Sequence, residues 1–467
     1  MQKAIILLYS LLFTYSCAGP QPDASTATET SERPPNILLL LADDLGYGEL
    51  GCYGQEVIKT PVLDSLAGQG MLFTDFYAGN PVCAASRAVL LSGRSSGHNA
   101  VRGNKGLAED GSWRRVALPP DHVTIAEMLR PRGYQTAMIG KWHLDVSYDL
   151  DTWAHSRGFD YSVQEQWSDK RDPGPRYDSP MEYINGLQDS VNYDLNQYDC
   201  QDEFRTDLAL DYLDNKREAD KPFFLFMSYR APHGHEYEIG NKTLYAEHGW
   251  AEPERLHAAQ ITLLDREVGR LLNKLRELGE LENTLVLFTS DNGPHTESGH
   301  HPEFFASNGQ TQGYKRDVYE GGIRVPMLAY WAGRVPQGVV TDRVASGQDV
   351  LPTIAAAAGA KVPDGVDGIS FLPVLLGEEQ PLRDTLNWEF HKPGDNPRNF
   401  RQAARMGDFK AVRYGTNVAI EVYDLSKDIA EAYDIAAERP DLVARAERIF
   451  REERTATSAF PYGREVR

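Results

Sequence analysis

Cysteine is scarce in this 467-residue chain, with four residues in all, and basic charge is in deficit: 48 Lys and Arg stand against 68 Asp and Glu, a formal net charge of -20. That deficit argues against nucleic acid and against a polybasic membrane surface as partners. Long apolar runs are missing too. Beyond the N-terminal leader no run is long enough for a membrane helix, and no internal repeat is present. The length makes one large domain plus a smaller one the natural expectation. The cysteines are Cys17, Cys52, Cys83 and Cys200. Cys17 sits in the leader, so an odd three remain. Cys52 and Cys200 form one potential pair, which leaves Cys83 alone, a state that an oxidising compartment disfavours.

What is there begins with an export signal. Lys3 gives a short basic region and Ala4 to Tyr15 is apolar but too short to span. Thr14-Tyr15-Ser16-Cys17 is a loose lipoprotein box; lipidation at Cys17 and ordinary cleavage nearby stand as equal readings. Residues 1–17 are read as the signal peptide and 18–35, rich in Pro, Ser, Thr and Glu, as a disordered tether. The expected location is outside the inner membrane, as a periplasmic or outer-membrane lipoprotein or a secreted protein, with any membrane attachment through the N-terminal lipid alone.

From Ile37 to about Leu376 buried strands alternate with amphipathic helices. The unbroken apolar run Ile37–Ala42 suits a central parallel strand covered on both faces. Thr124 to Arg130 reads as a short helix with Thr124 near its cap, Gln135–Ile139 and Phe223–Tyr229 as strands, and Leu285–Thr289 as another. Between Glu254 and Glu280, Leu264, Val268, Leu271, Leu275 and Leu278 recur at helical spacing. Strands alternating with helices predict a parallel α/β sheet. From about Arg383 the texture changes to short antiparallel strands at Leu386–His391, Gln402–Tyr414 and Ile420–Leu425, closed by a helix over Asp441–Glu453. The catalytic domain is therefore placed at 36–380 and a C-terminal subdomain at 381–467. The stretch from Asp160 to Cys200 has little periodicity and reads as a long insertion over one edge.

Ligands in open parallel sheets bind beyond the carboxyl ends of the strands. Four chemically loaded segments fall at such ends: Asp43-Asp44, Lys141-Trp142-His143, His233 and Asp291-Asn292. Taken singly, each has a bland explanation: a helix cap, a packed Trp beside a surface Lys, a structural His, an Asx turn before Gly293. Four on one rim are hard to explain as packing. Asp43, Asp44, Asp291 and Asn292 form an all-oxygen set of the kind that hard divalent cations take. Cys83-Ala84-Ala85-Ser86-Arg87 adds a nucleophile with a cation one helical turn on. A helix beginning at Cys83 would favour an anion at its N-terminus.

The Cys83–Arg87 segment continuing into Ala88-Val89-Leu90-Leu91-Ser92-Gly93, together with Gly140-Lys141-Trp142-His143-Leu144 and Gly313-Tyr314-Lys315 running to Pro326, resembles the type I, formylglycine-dependent sulfatases of the alkaline-phosphatase superfamily. The resemblance runs along nearly the whole chain from Asn36. Ala85 stands where that family more often has Pro, which leaves the maturation route open. The resemblance implies a large, mostly parallel mixed sheet flanked by helices, with a small C-terminal antiparallel sheet and helix. It implies that Cys83 is oxidised by a formylglycine-generating maturation enzyme and that its hydrate attacks sulfur in line. Ca²⁺ would be held by Asp43, Asp44, Asp291 and Asn292, joined by an oxygen of the modified Cys83. Arg87 and Lys141 would fix the diol, and Lys141 and Lys315 would grip sulfate oxygens. His233 would protonate the departing alcohol, and His143 would take the second diol proton so that sulfate leaves. These residues form the local cationic pocket that an acidic chain needs to bind a sulfate ester.

The segment Pro294 to Phe305 resembles one found in bacterial carbohydrate sulfatases. His300 is expected to face the leaving-group sugar, with His301 and His295 as further candidates. Trp142, Trp153 and Trp167 either stack on sugar rings or pack in the core. The expected reaction is removal of sulfate from a galactose-type sulfated glycan or oligosaccharide. The competing expectations are a phosphonate monoester or phosphodiester hydrolase of the same superfamily, and a non-catalytic glycan-binding lipoprotein on the same fold.

Overall fold

The computed structural model describes residues 33–166, 181–234 and 239–462. The leader with Cys17, nearly all of the tether, and Trp167 lie outside them. Ten strands form the main sheet: Asn36–Ala42 (β1), Met71–Phe73 (β2), Gln135–Lys141 (β6), Tyr161–Glu165 (β7), Met181–Ile184 (β8), Asp189–Asn192 (β9), Phe223–Ser228 (β10), Thr284–Ser290 (β11), Met327–Tyr330 (β12) and Val339–Thr341 (β13). Two small ribbons pair Phe76–Tyr77 (β3) with Ala345–Ser346 (β14), and Gly106–Leu107 (β4) with Trp113–Arg114 (β5). The C-terminal sheet holds Thr385–His391 (β15), Phe400–Met406 (β16), Phe409–Tyr414 (β17) and Glu421–Asp424 (β18). The helices are Pro61–Gln69 (α1), Cys83–Ser92 (α2), Ile125–Leu129 (α3), Gln201–Asp211 (α4), Glu252–Glu277 (α5), Glu320–Ile323 (α6), Val350–Ala358 (α7), Leu372–Leu375 (α8) and Pro440–Glu452 (α9).

The main sheet runs β13-β2-β12-β11-β1-β10-β6-β7-β8-β9. Its centre, from β11 through β1, β10 and β6 to β7, is parallel, while β12, β2, β8 and β9 join antiparallel neighbours. Burial on both faces explains the apolar central strands. Alternate residues of a strand point to opposite faces, and β1 divides accordingly: Ile37, Leu39 and Leu41 enter one core, and Leu38, Leu40 and Ala42 the other. The large mixed, mostly parallel sheet and the small antiparallel one are the architecture expected from the sequence. Among the described residues no helix is long and apolar enough to cross a membrane.

Local chemistry sets the boundaries. At α3 the Thr124 Oγ1 accepts the Glu127 N–H at 3.1 Å and Glu127 Oε2 accepts the Thr124 N–H at 2.7 Å, a reciprocal cap. In α5, Leu264, Val268, Leu271 and Leu275 are buried as their spacing predicts, but Leu278 is 38 % exposed. The helix stops one residue before it, and Gly279 follows at φ 66°. The expected strand Gln402–Tyr414 is two: a turn through Gly407, at φ 66°, folds β16 onto β17 with Met406 opposite Phe409. The Asp160–Cys200 insertion contributes three strands, β7, β8 and β9, and extends the sheet at its edge. Their alternation is broken by polar, half-buried positions, so the period-2 signal is weak. Cys52 and Cys200 are both free thiols, so the potential pair does not form.

The C-terminal sheet packs on the body of the catalytic sheet through a shared core. Leu386, Trp388, Phe390, Ala403 and Val412 meet Tyr77, Val82 and Ala85, and the last two flank the start of α2.

Candidate active site

The carboxyl ends of β1, β6, β10 and β11 converge, and the start of α2 points into the same place. Parallel pairing fixes this in register: Leu41 lies opposite Ser228 and Thr289, and Ser228 opposite Gly140. The backbone then turns sharply. Asp44 and His143 both adopt left-handed conformations, at φ 67° and 60°, a cost met more often at working sites than elsewhere. Gly140 sits at φ 111°, and a Cβ there would lie 2.0 Å from the Ser228 carbonyl oxygen. Only glycine lets the end of β6 run so close to β10 at the residue before Lys141. A Cβ on Gly293 would come within 1.9 Å of the Gly321 carbonyl oxygen, so the turn after Asn292 has the same requirement.

Cys83 is the first residue of α2 and is fully buried, its Sγ 3.8 Å from Asp44 Oδ1. The Ala84 N–H donates to Asn104 Oδ1 at 3.1 Å, which caps the first turn from outside. One turn on, Arg87 spans the floor. Its Nε and Nη2 donate to Asp291 Oδ2 at 2.9 and 2.8 Å, and Nη1 to the Lys141 carbonyl at 2.8 Å and to Ser228 Oγ. Lys141 Nζ donates to Asp43 Oδ2 at 2.5 Å and Lys315 Nζ to Asp44 Oδ2 at 2.6 Å. His233 Nε2 lies 3.3 Å from Lys315 Nζ and 3.7 Å from Asp44 Oδ2. Asn292 Nδ2 donates to Asp44 Oδ1 at 2.7 Å, and the Asp44 N–H to Asp291 Oδ1 at 3.1 Å. Asp43, Asp44, Cys83, Arg87, Lys141, His233, Asp291, Asn292 and Lys315 thus share one connected site. His143 follows Lys141 on the same turn and is half-buried in the field of Lys141, Arg115 and Arg87.

The charges are balanced by pairs. Burial alone would push Asp43 and Asp44 up, but Lys141 beside Asp43 and Lys315 beside Asp44 hold both below the usual carboxylate range. Asp291 goes the other way, to about 7, because burial and the Asp43 charge outweigh Arg87. Burial pushes the Cys83 thiol well above its ordinary value, so the site does not favour a thiolate. Burial and the nearby Lys141 push His143 well below the usual imidazole range, which keeps it neutral.

This donor set fits a hard divalent cation. Asp43, Asp44, Cys83 and Asp291 each offer a ligand atom, all within 4.8 Å of one another and all buried. Among the described residues Asp43 Oδ1 and Asn292 Oδ1 are buried with no hydrogen-bond partner, Arg87 Nη2 standing 3.7 Å from the former, which is costly for polar oxygens unless a cation faces them. The Cys83 Sγ occupies the position at which an oxidised side chain would present an oxygen.

Comparison with known proteins places the chain in a family. The sulfatase family model matches residues 35–360, and the model of the N-sulphoglucosamine sulphohydrolase C-terminal region matches residues 312–449. The chain belongs to the sulfatase family. It is 35 % identical to arylsulfatase A of Homo sapiens over 445 residues, covering 86 % of this chain and 83 % of that one. It is 30 % identical to N-acetylgalactosamine-6-sulfatase of Canis lupus familiaris over 416 residues, covering 86 % and 75 %. Among solved structures, Ps i-CgsB in complex with k-i-k-neocarrahexaose superposes with a TM-score of 0.76 at 27 % identity, covering 93 % of this chain and 96 % of that one. The chain is a sulfatase enzyme, and its alkaline-phosphatase-like fold is the one the sequence predicted.

The sugar-facing candidates fare differently. His300 is only 1 % exposed. Its Nδ1 lies 2.6 Å from Glu254 Oε2 and its ring stacks on His257 at 3.7 Å, so it has no open face for a leaving group. The physical reason is that the segment after Asn292 folds back against the first turn of α5. His295 is also buried there, while His301 is exposed. Trp142 and Trp153 are core residues, packed edge-on against Phe159 and Tyr183 respectively. Glu49, His257 and His300 cluster closely enough to suggest another metal. The two rings are stacked within 12° of parallel, however, so their in-plane lone pairs do not converge on one point, and Glu49 already bonds His257 at 2.6 Å. This reads as a buried hydrogen-bonded cluster.

Sequence reasoning missed the residues that hold the others in place. Glu297 lies 3.3 Å from Lys315 Nζ and 3.8 Å from His233 Nε2. Arg230, which pairs with Glu165, lies 3.9 Å from Asp43 Oδ2. Asp202 accepts the Arg230 and Ala231 N–H groups and so sets the turn before His233. Glu297 was visible as an acid between two histidines, but no spacing rule returns it to Lys315.

Proposed function

We propose that this sulfatase removes sulfate from a sulfated glycan of galactose type, using formylglycine at position 83 and Ca²⁺ held by Asp43, Asp44, Asp291 and Asn292. The observation that carries this reading is a buried carboxylate cluster, crowned by Lys141 and Lys315, at the N-terminus of the helix that begins with Cys83. The glycan part rests on the relatives, an N-acetylgalactosamine-6-sulfatase and a neighbour solved with neocarrahexaose.

When present, the hydrated aldehyde supplies one hydroxyl to attack sulfur and a second to let sulfate go, and the ion neutralises charge around them. The chain's own residues do the rest. Lys141 and Lys315 aim their ammonium groups into the pocket, where they stabilise sulfate oxygens as charge shifts during transfer. Arg87, locked between Asp291 and the β6 and β10 termini, keeps the start of α2 in register with the carboxylates. His233 Nε2, beside Lys315, holds the proton for the departing alcohol. His143, kept neutral by burial, is the acceptor for the proton that must leave before the carbonyl re-forms.

The decisive test is a peptide mass of the Cys83 segment from the native host, combined with rates on sulfate and phosphate esters of the same alcohol. The aldehyde mass with a strong preference for sulfate supports the reading. An unmodified thiol in active protein, or a preference for phosphate, overturns it.

A further inference from the structure

Among the described residues, Glu297 is a side chain close to His233 that the reaction does not use. Its carboxylate is 27 % exposed at the mouth of the pocket, and its two oxygens are distinguished by their neighbours. Oε1 accepts from Arg316 Nη2 at 2.5 Å. Oε2 faces inward, 3.3 Å from Lys315 Nζ and 3.8 Å from His233 Nε2. Three fasteners hold it there. His295 Nδ1 accepts the Glu297 N–H at 3.0 Å, so the ring carries its proton on Nε2, which donates to the Pro232 carbonyl at 2.8 Å. The Ser298 hydroxyl donates to the Gly234 carbonyl. Gly234 itself leaves no room, since a Cβ there would sit 2.5 Å from the Glu297 Cβ. Glu297 and His233 are therefore one preorganised unit, although 64 residues separate the loops they share. Lys315 and Arg316 together hold the Glu297 carboxyl down to about 2 against its burial, so it is charged whenever the enzyme works.

If the proposed function is right, the departing oxygen sits within hydrogen-bond reach of His233 Nε2, about 2.7–3.2 Å. The next substituent on the leaving group then passes Glu297 Oε2. An ionised carboxylate only accepts hydrogen bonds. We propose that Glu297 reads the leaving group: it accepts a hydrogen bond from a hydroxyl or amide N–H on the carbon beside the sulfate ester. The preferred substrate class is then a sulfated sugar with a free donor next to the ester. A second sulfate at that position is rejected by like charge.

The experiment uses the matured, Ca²⁺-loaded enzyme and three synthetic sugars: a monosulfate with a free vicinal hydroxyl, its deoxy counterpart, and the vicinal disulfate. Wild-type kcat/KM should favour the hydroxyl over the deoxy sugar by roughly tenfold to a hundredfold, the worth of one hydrogen bond to a charged acceptor. In Glu297→Ala that ratio should fall below about threefold, a coupling that general damage to the fold, which lowers both rates together, does not produce. Glu297→Gln, which keeps an acceptor but loses the charge, should gain on the disulfate relative to wild type. A wild-type ratio near one, or an unchanged ratio in Glu297→Ala, overturns the inference while leaving the proposed function standing. Failure of matured wild type to hydrolyse any of the sulfate esters overturns the proposed function, and the inference with it.

Discussion

Cys83 gains its chemistry from its neighbours, and they make a sharp expectation possible at the scale of a single residue. Its thiol is buried and driven toward the neutral form, so sulfur itself is a poor nucleophile here. A serine in its place has one hydroxyl where the proposed hydrated aldehyde would have two. Cys83→Ser should therefore bind substrate and transfer sulfate at most once, leaving a stable ester. Single-turnover kinetics, with mass detection of a sulfated serine in the peptide that carries the substitution, checks this, and sustained turnover contradicts the diol mechanism. At this scale much of the site was legible. Asp43, Asp44, Arg87, Lys141, His233, Asp291, Asn292 and Lys315 all come together as the motifs implied, because most sit directly after a buried strand or at a helix start, where sequence and spatial position coincide. His300 does not join them, for the opposite reason. It lies in a loop whose path depends on Glu254, 46 residues away, and no local pattern encodes that contact.

Among the elements, the loop between Gly313 and α6 shows how a distant sheet holds a working residue. Arg316 sits at φ 79°, a left-handed conformation. It is held by the Pro81 carbonyl, which accepts its N–H at 2.7 Å, and by Arg401 of β16, whose Nη1 donates to the Arg316 carbonyl and, at 2.7 Å, to Asp317 Oδ1. Tyr414 of β17 adds its hydroxyl to the same Asp317 oxygen at 3.0 Å and its ring beneath the Arg401 guanidinium. The C-terminal sheet thus fixes the backbone next to Lys315. Arg401→Ala should lower kcat by about tenfold to a hundredfold, the scale of a catalytic group displaced by an ångström, with a smaller change in KM. Arg401→Lys should recover only part, because a lysine loses the planar guanidinium that stacks on the Tyr414 ring. An equal loss of stability in both variants with no change in kcat would assign Arg401 to stability alone. This coupling was not legible in the sequence. The strands were, because their apolar alternation is local, but the pairing of Arg401 with a residue 85 positions earlier is set by how the two sheets dock.

At the level of the whole molecule, charge is buried in several clusters, and two of them give solution behaviour a signature. The first is the site. With three carboxylates within a few ångströms, a cation that binds only the folded state adds stability by mass action, about 2.7 kcal/mol at a hundred times its Kd. Chelation should lower Tm by several degrees, Ca²⁺ should restore it, and Asp43→Asn should shrink that difference; an unchanged Tm would argue against an ion at these residues. The second is the seam beside the C-terminal sheet. Lys410 Nζ lies 2.9 Å from Glu320 Oε1 and 3.0 Å from Glu431 Oε1, all three fully buried, with Arg324, Arg405 and Tyr77 around Glu320. One ammonium cannot satisfy two carboxylates equally. Glu320, surrounded by cations, is held low, while burial, only partly offset by Lys410 and reinforced by the Glu320 charge, pushes Glu431 up to about 7. An acid whose folded value exceeds its unfolded one, near 4.5, favours folding most below the unfolded value and loses that contribution as pH rises through the folded value. Stability should therefore fall between about pH 4.5 and 7 from this group, by at most on the order of 3 kcal/mol. Glu431→Gln, neutral at every pH and able to keep accepting the Glu320 N–H that Glu431 Oε2 accepts at 2.6 Å, should flatten that slope. Denaturant unfolding at pH 5 and pH 7.5 measures it directly: the wild type should lose more stability than the variant across this interval, and parallel losses would show that Lys410 keeps Glu431 ionised throughout.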